Sequence, residues 1–319
     1  MKKITVCMDR LCDHHRSQIL RAAEAAGYTA AFFSTPDDAR ESAAESEIIL
    51  ADRDALLPYA EQLKWFCASF AGVDHLLRSP YLKESVLLSN SSGAYGVTIS
   101  EHIVMVILML LRRQMEYTEI VREHSWKRNL PVRSIRGSRI VIIGTGDIGH
   151  ETACRLRAFA PASIEGINRS GRGADPAFDR IQSTESLDSL LPEADILIMC
   201  IPGTREAYHL MNAERLQRMQ KHAMIINVGR GQSLDQEALV GLLKENRLGG
   251  AALDVFETEP VPPDDPVWTC PGLLVTPHCS GNTSLGYTVD RIVDLFCEDL
   301  ERYVQGLPLL RTVDRKLGY

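Results

Sequence analysis

Short, largely β-branched apolar runs recur along the chain, separated by longer stretches with helical spacing of apolar side chains. In the first third, Lys3 to Met8, Glu47 to Ala51, Leu63 to Ala68 and Val86 to Leu88 are predicted strands. Arg16 to Ala26, closed by Gly27, is a predicted helix. Ile99 to Glu123 reads as one long helix. Ile103, Val106, Ile107, Leu110 and Leu111 recur at helical spacing, and Met105, Leu108 and Met109 carry the apolar surface further round. Such a helix is buried deeply or used between subunits. Ser125 to Ser138 has no period and is expected to be a surface arm. Ile140 to Ile143 then runs into Gly144-Thr145-Gly146-Asp147-Ile148-Gly149, with a helix expected over Glu151 to Phe159. More strands follow from Ser163, and at Asp195 to Cys200, Ala223 to Val228, Gly250 to Val255 and Leu273 to Val275. Tyr287 to Val304 is an amphipathic closing helix. Apolar strands alternating with helices give an α/β fold with parallel sheets.

Length and composition narrow this only a little. A chain of 319 residues suggests two domains. A net charge of −7 argues against nucleic-acid or anionic-membrane partners. The basic arm (Lys127, Arg128, Arg133, Arg136 and Arg139) has one aromatic residue and no matching basic face elsewhere. The longest apolar run, Ile103 to Leu111, is too short to span a bilayer, and no secretory signal opens the chain, so a cytoplasmic protein is expected. Eight cysteines without a Cys-x-x-Cys pair read mostly as reduced core thiols, with no zinc spacing.

Candidate chemistry collects where strands end, since ligands of open α/β sheets bind at their carboxyl edge. In Gly144-x-Gly146-x-x-Gly149, the first glycine permits the tight turn. The second lets a pyrophosphate approach the backbone, and the third lets the helix pack on the sheet. Asp147 and Ile148 open that helix, whose N-terminal N–H groups and dipole favour phosphate. The next strand would normally end in an acid for the adenosine ribose. Here Asn168, Arg169 and Ser170 stand instead. The missing carboxylate and the Arg169 fork favour NADP, while a merely solvated Arg would leave NAD possible. Later strands end at Ile201-Pro202-Gly203-Thr204, Val228-Gly229-Arg230-Gly231, Asp254 and Thr276-Pro277-His278. Ala71-Gly72-Val73 could hold a carboxylate, or be a plain strand-to-helix turn.

With these residues in view, the chain resembles the D-isomer-specific 2-hydroxyacid dehydrogenase family. The matching pieces are Phe70-Ala71-Gly72-Val73-Asp74, the glycine fingerprint, Ile201 to Thr204, Asn227 to Gly231, Leu253 to Pro260, Thr276 to His278 and the tail Arg311 to Tyr319, in the family's order. The resemblance implies two flavodoxin/Rossmann-like lobes with the active site in the interdomain cleft. Residues 1–97 plus 285–319 would bind substrate and 98–284 the dinucleotide. The long helix and arm would make a homodimer. Cofactor contacts would come from the fingerprint, Asn168 to Ser170, Ile201, Pro202, Thr204, Val228, Gly229, Asp254, His278 and Ser280. The chain departs from the family's habit at Ala160-Pro161-Ala162, at Ala207 and at Cys279-Ser280-Gly281.

Reduction of a 2-keto acid needs a cation for the carboxylate and carbonyl, a proton donor and a hydride. Arg230 suits the first role. His278 suits the second, because imidazole titrates near neutrality. Glu259 would orient His278; Glu257, two residues away, is the competing acid. Ala71 and Gly72 N–H groups would hold the substrate carboxylate. The expected activity is NAD(P)H-dependent reduction of a small 2-keto acid, of the glyoxylate or hydroxypyruvate type, to a D-2-hydroxy acid. A formate- or phosphite-type dehydrogenase and a dinucleotide-sensing corepressor are the alternatives.

Overall fold

A computed structural model describes residues 2–319. The backbone forms two units. One holds the residues up to Tyr95 together with Asn282–Tyr319, the other Gly96–Gly281.

The first unit runs β1 (Lys2–Cys7), α1 (Asp13–Ala25), β2 (Tyr28–Phe33), α2 (Pro36–Glu45), β3 (Ile48–Ala51), β4 (Trp65–Ala68), α3 (Asp74–Leu77) and β5 (Leu87–Ser89). Its sheet has the order β2-β1-β3-β4-β5, every pair parallel. The central strands β3 and β4 are buried at every position, as their unbroken apolar sequences require. The loop after β4 leads into α3. Asn90 donates to the Ala71 carbonyl at 2.7 Å, and Tyr95 hydroxyl to the Ser69 carbonyl at 2.7 Å.

The second unit opens with α4 (Gly96–Leu111) and α5 (Gln114–Arg122). The long helix expected over Ile99 to Glu123 is therefore two helices. Arg113 takes a left-handed conformation, φ 57, between them. The physical reason lies in burial. Ile99, Ile103, Val106, Ile107 and Leu111 of α4 are buried, whereas α5 buries nothing, so no core contact enforces continuity past Leu111. The arm from Ser125 is irregular, as expected.

Then come β6 (Arg139–Ile143), α6 (Asp147–Arg157), β7 (Ser163–Asn168), β8 (Arg180–Ser183), α7 (Leu187–Leu190), β9 (Ile196–Met199), α8 (Ala213–Arg218), β10 (Met224–Asn227), α9 (Gln236–Lys244), β11 (Gly250–Leu253) and β12 (Leu273–Val275). The sheet order is β12-β11-β10-β9-β6-β7-β8, all parallel. Because every strand runs the same way, the polar strand ends named above share one edge. Leu197, Ile225, Leu253 and Leu239 lie in the core beneath it. The chain returns to the first unit through α10 (Gly286–Val304), which packs on α1.

None of the eight cysteines is in a disulfide, but Cys12, Cys154 and Cys279 are exposed, so the core reading fails for these three. No helix among the described residues is long and apolar enough to cross a membrane, and no cluster of His, Cys, Asp or Glu there could hold a metal.

Candidate active site

β6 hands over to α6 through a turn whose three glycines have different reasons to be glycine. Gly144 has φ 107, and a Cβ there would lie 2.6 Å from the Cys200 carbonyl oxygen. A Cβ on Gly149 would lie 2.0 Å from the Gly144 carbonyl oxygen. The protein's own packing requires both. Gly146 is different: its φ is −81, and a Cβ would meet nothing within 4 Å. Open space therefore stands beside the first turn of α6, whose N–H groups have no acceptor one turn back. This cradle fits a dinucleotide pyrophosphate. Asp147, the first helical residue, turns its carboxylate toward Gly96, where a Cβ would come within 2.6 Å of Oδ2. Ile148 follows it, half-buried in that first turn.

At the end of β7, Asn168 builds the next loop. Its Oδ1 accepts the N–H groups of Ser170 (3.1 Å) and Gly171 (2.7 Å). Its Nδ2 donates to Thr145 Oγ1 (3.0 Å) and to the Arg172 carbonyl (2.9 Å). The Asn168 amide is thus committed to loop shape, and the exposed side chains of Arg169 and Ser170 form the outer surface.

The end of β10 presents Arg230. Buried Asn227 accepts the Gly229 N–H at 3.1 Å and donates to the Arg230 carbonyl at 3.0 Å. The Ser233 hydroxyl donates to the same carbonyl at 2.6 Å. A Cβ on Gly229 would lie 2.6 Å from the Ile201 carbonyl oxygen, and one on Gly231 only 1.9 Å from the Phe256 carbonyl carbon. The glycines on either side of Arg230 are therefore packed against the loops after β9 and β11. Its Nη1 donates to the Gly229 carbonyl at 2.8 Å. Val228 is buried, its N–H on the Met199 carbonyl. In the β9 loop, which begins Ile201-Pro202, the Thr204 hydroxyl accepts the Ala207 N–H at 3.2 Å.

The β11 and β12 ends meet at Asp254, which is 1 % exposed. Its carboxylate accepts the Thr276 hydroxyl (2.6 Å) and the N–H groups of Cys279 (2.9 Å) and Ser280 (3.0 Å). Burial pushes this carboxyl up, but bonds from Ser280, Thr276 and Cys279 outweigh it, so the net shift is downward. His278 has φ 50, an uncommon conformation for a residue with a Cβ. Its N–H donates to the Asp254 and Thr276 carbonyls at 2.9 and 3.0 Å. One buried acid, by main chain and side chain together, thus shapes the turn that carries the histidine. His278 Nδ1 lies 2.6 Å from Glu259 Oε2, and Glu259 Oε1 accepts the Phe256 N–H at 2.9 Å. The His278 ring is half exposed. Glu257 is engaged elsewhere, accepting His209 Nε2 and the Gln236 N–H, both at 3.0 Å.

The sequence reading passed over Asn227 and Thr276 as contributors, although both stand in quoted motifs. It also passed over His102, whose Nε2 lies 3.3 Å from Thr276 Oγ1. A polar residue at the end of an apolar strand, followed by Gly-x-Gly, was the available signal for Asn227. His102 left none, because it lies on a helix far away in sequence.

A parallel sheet with a glycine-turn cradle and a His–Glu pair on one edge defines a dinucleotide-dependent oxidoreductase. Residues 104–280 match the family described as D-isomer specific 2-hydroxyacid dehydrogenase, NAD binding domain. Glyoxylate reductase of Thermofilum pendens is 33 % identical over 251 residues, 73 % of this chain and 74 % of that protein. Among solved structures, a D-isomer specific 2-hydroxyacid dehydrogenase family protein from Aeromonas salmonicida superposes with a TM-score of 0.86 at 31 % identity, covering 98 % of this chain and 99 % of that one. The NADPH-dependent glyoxylate/hydroxypyruvate reductase of Sinorhizobium meliloti, in complex with NADP and sulfate, gives 0.82 at 26 % identity over the whole of both chains. The chain belongs to the D-isomer specific 2-hydroxyacid dehydrogenase family and is an NAD(P)-dependent enzyme.

Proposed function

We propose that the chain reduces a small 2-keto acid of the glyoxylate or hydroxypyruvate type to its D-2-hydroxy acid, with NADPH preferred over NADH. The single observation that carries this reading is the 2.6 Å pair of His278 and Glu259. A carboxylate only accepts, so Nδ1 of His278 carries a proton. Nε2 is then left for the substrate, and its proton passes to the carbonyl oxygen as the alcohol forms. Glu259, held by the Phe256 N–H, keeps the ring oriented and stabilises the imidazolium before transfer. Arg230 binds the keto acid through its fork and polarises the carbonyl. Ala71 and Gly72 take the carboxylate through their N–H groups, a role that rests on the family resemblance. The cradle of Gly144, Gly146, Asp147, Ile148 and Gly149 holds the pyrophosphate. Arg169 and Ser170 hold the 2′-phosphate on the loop that Asn168 shapes. Ile201, Pro202, Thr204, Val228, Gly229, Asp254 and Ser280 line the remaining cofactor surface. The reduced nicotinamide supplies the hydride. The working form is a homodimer built on α4, α5 and the arm.

NADPH and NADH oxidation, measured side by side over a panel of 2-keto acids, tests this. Turnover of a small keto acid with NADPH preferred is expected. Turnover of no keto acid with either cofactor would refute the reading.

A further inference from the structure

Cys12 occupies the N-cap of α1 with φ −82 and ψ 173. Its Sγ lies 3.3 Å from His15 Nδ1, and its backbone N–H donates to the same nitrogen at 3.3 Å. On the far side of the ring, Nε2 lies 2.7 Å from Asp290 Oδ1 on α10. Because a carboxylate only accepts, Nε2 carries the proton of the neutral ring and Nδ1 presents a lone pair. That lone pair is shared by the Cys12 N–H and the Cys12 thiol, both at 3.3 Å. His15 is 5 % exposed, whereas Cys12 is exposed, so a buried base in one fixed orientation serves a sulfur open to solvent. The N-terminal end of α1 adds positive potential at the sulfur. Asp13, in the same turn, works against them.

A second array of the same residue types allows a comparison within the molecule. Cys154 Sγ lies 3.6 Å from His150 Nε2, and His150 Nδ1 lies 2.7 Å from Asp175 Oδ2. There the cysteine sits mid-helix, and the His150 ring is 42 % exposed. Burial, Glu151 and Asp175 push that thiol upward. The two arrays share chemistry but differ in helix position, contact distance and shielding of the base.

We propose that Cys12, His15 and Asp290 form a thiol-activating array, and that Cys12 exchanges with small-molecule disulfides in preference to every other cysteine of the chain. The thiol proton passes to His15 Nδ1 and the sulfur attacks one sulfur of the disulfide. The Cys12–sulfur bond forms as the original S–S bond breaks, and the departing thiolate takes up a proton and leaves as a thiol. Cys12 is oxidised to a mixed disulfide and the leaving half is reduced, so no other oxidant is needed. Nothing in this array belongs to the reductive site.

The test incubates the full-length protein with oxidised glutathione and follows each cysteine by peptide mass mapping. Cys12 is expected to react about ten-fold faster than Cys154 and Cys279, and His15→Gln to remove that advantage while leaving Cys154 unchanged. A Cys12 rate no faster than those of Cys154 and Cys279, or a full Cys12 rate in folded His15→Gln, would overturn the proposal. If His15→Gln does not give a folded protein, Asp290→Asn replaces it, since that side chain is 58 % exposed. A slowed Cys12 there supports the array and an unchanged rate overturns it.

Discussion

Gly146→Ala adds one methyl group at a position where the protein places nothing within 4 Å and where φ is −81. Any residue adopts that backbone conformation. Alanine is a poorer N-cap than glycine, but it also lowers the entropy of the unfolded chain. The two effects offset to within about 1 kcal/mol, so the melting temperature without cofactor should move by no more than about 4 °C. Cofactor binding should behave differently. A methyl standing in the open space would push a pyrophosphate off the N–H groups of α6. The loss of one or two charge-assisted hydrogen bonds, each worth about 1.5–3 kcal/mol, raises the Kd for NADPH by roughly ten-fold or more. Gly144→Ala is the contrast. With φ 107 and a 2.6 Å approach to the Cys200 carbonyl, it should cost more than about 2 kcal/mol of fold stability before any ligand is added. The assay pairs thermal melts without cofactor with NADPH titrations followed by nicotinamide fluorescence. If Gly146→Ala bound NADPH with the parent Kd, the pyrophosphate would not approach this turn and the argument from open space would be wrong.

Three further predictions follow from named contacts. Glu259→Gln removes a charge-assisted hydrogen bond whose partners are 34 % and 51 % exposed; after discounting for solvent, about 1–2 kcal/mol of transition-state stabilisation goes. Steady-state kinetics should show kcat/KM falling roughly 5- to 30-fold with the KM for cofactor unchanged; an unchanged kcat/KM contradicts the pair's role. Arg169→Ala should narrow the NADPH-over-NADH preference about ten-fold, through a higher KM for NADPH alone, and equal effects on both cofactors would remove Arg169 from the 2′-phosphate site. In the first unit, burial would raise the Glu47 carboxyl, but hydrogen bonds from Tyr28, Lys64 and Lys2 outweigh it and lower it from 4.5 to about 2. A depressed value in the folded state means stability that is complete above the unfolded value and lost as pH falls from 4.5 through about 2. Because Lys2 and Lys64 are 58 % and 62 % exposed, screening leaves about 1–2 kcal/mol; Glu47→Gln should lose that much at neutral pH and show a flatter acid limb in urea melts, and a parallel acid limb would contradict it.

The strands that the apolar pattern revealed are those buried on both faces, such as β3, β4, β9 and β10, each buried throughout. The pattern missed β2 and β8, one edge strand of each sheet, although it found the other edges, β5 and β12, from their short apolar runs. Edge strands face solvent along one side. Tyr28–Phe33 is mostly half-buried and Arg180–Ser183 has one apolar residue, so neither reads as a continuous run. The same logic explains α2, whose buried face is made of Ala39, Ser42 and Ala43, too small to register as a hydrophobic stripe. The single long helix failed for the opposite reason. Its apolar period was real as far as Leu111, and the extension to Glu123 rested on helix-compatible residues with no core to face.

The candidate site was legible wherever a glycine or a strand end signalled it, and illegible where the choice depended on a turn. Glu257 and Glu259 show the limit. They are two residues apart, so strand alternation would place both on the same side and cannot choose between them. The choice is made by hydrogen bonds from other elements. His209 and the first N–H of α9 capture Glu257, while the Phe256 N–H bends back to hold Glu259 against His278. His209 comes from the loop after β9 and Gln236 from the helix after β10, so the pairing at His278 is settled by segments 20 to 50 residues away. Replacing His209 should therefore perturb the His278 pairing without touching either of its members, which a fall in kcat/KM would show. A reading of the local sequence around residue 259 has no access to that constraint.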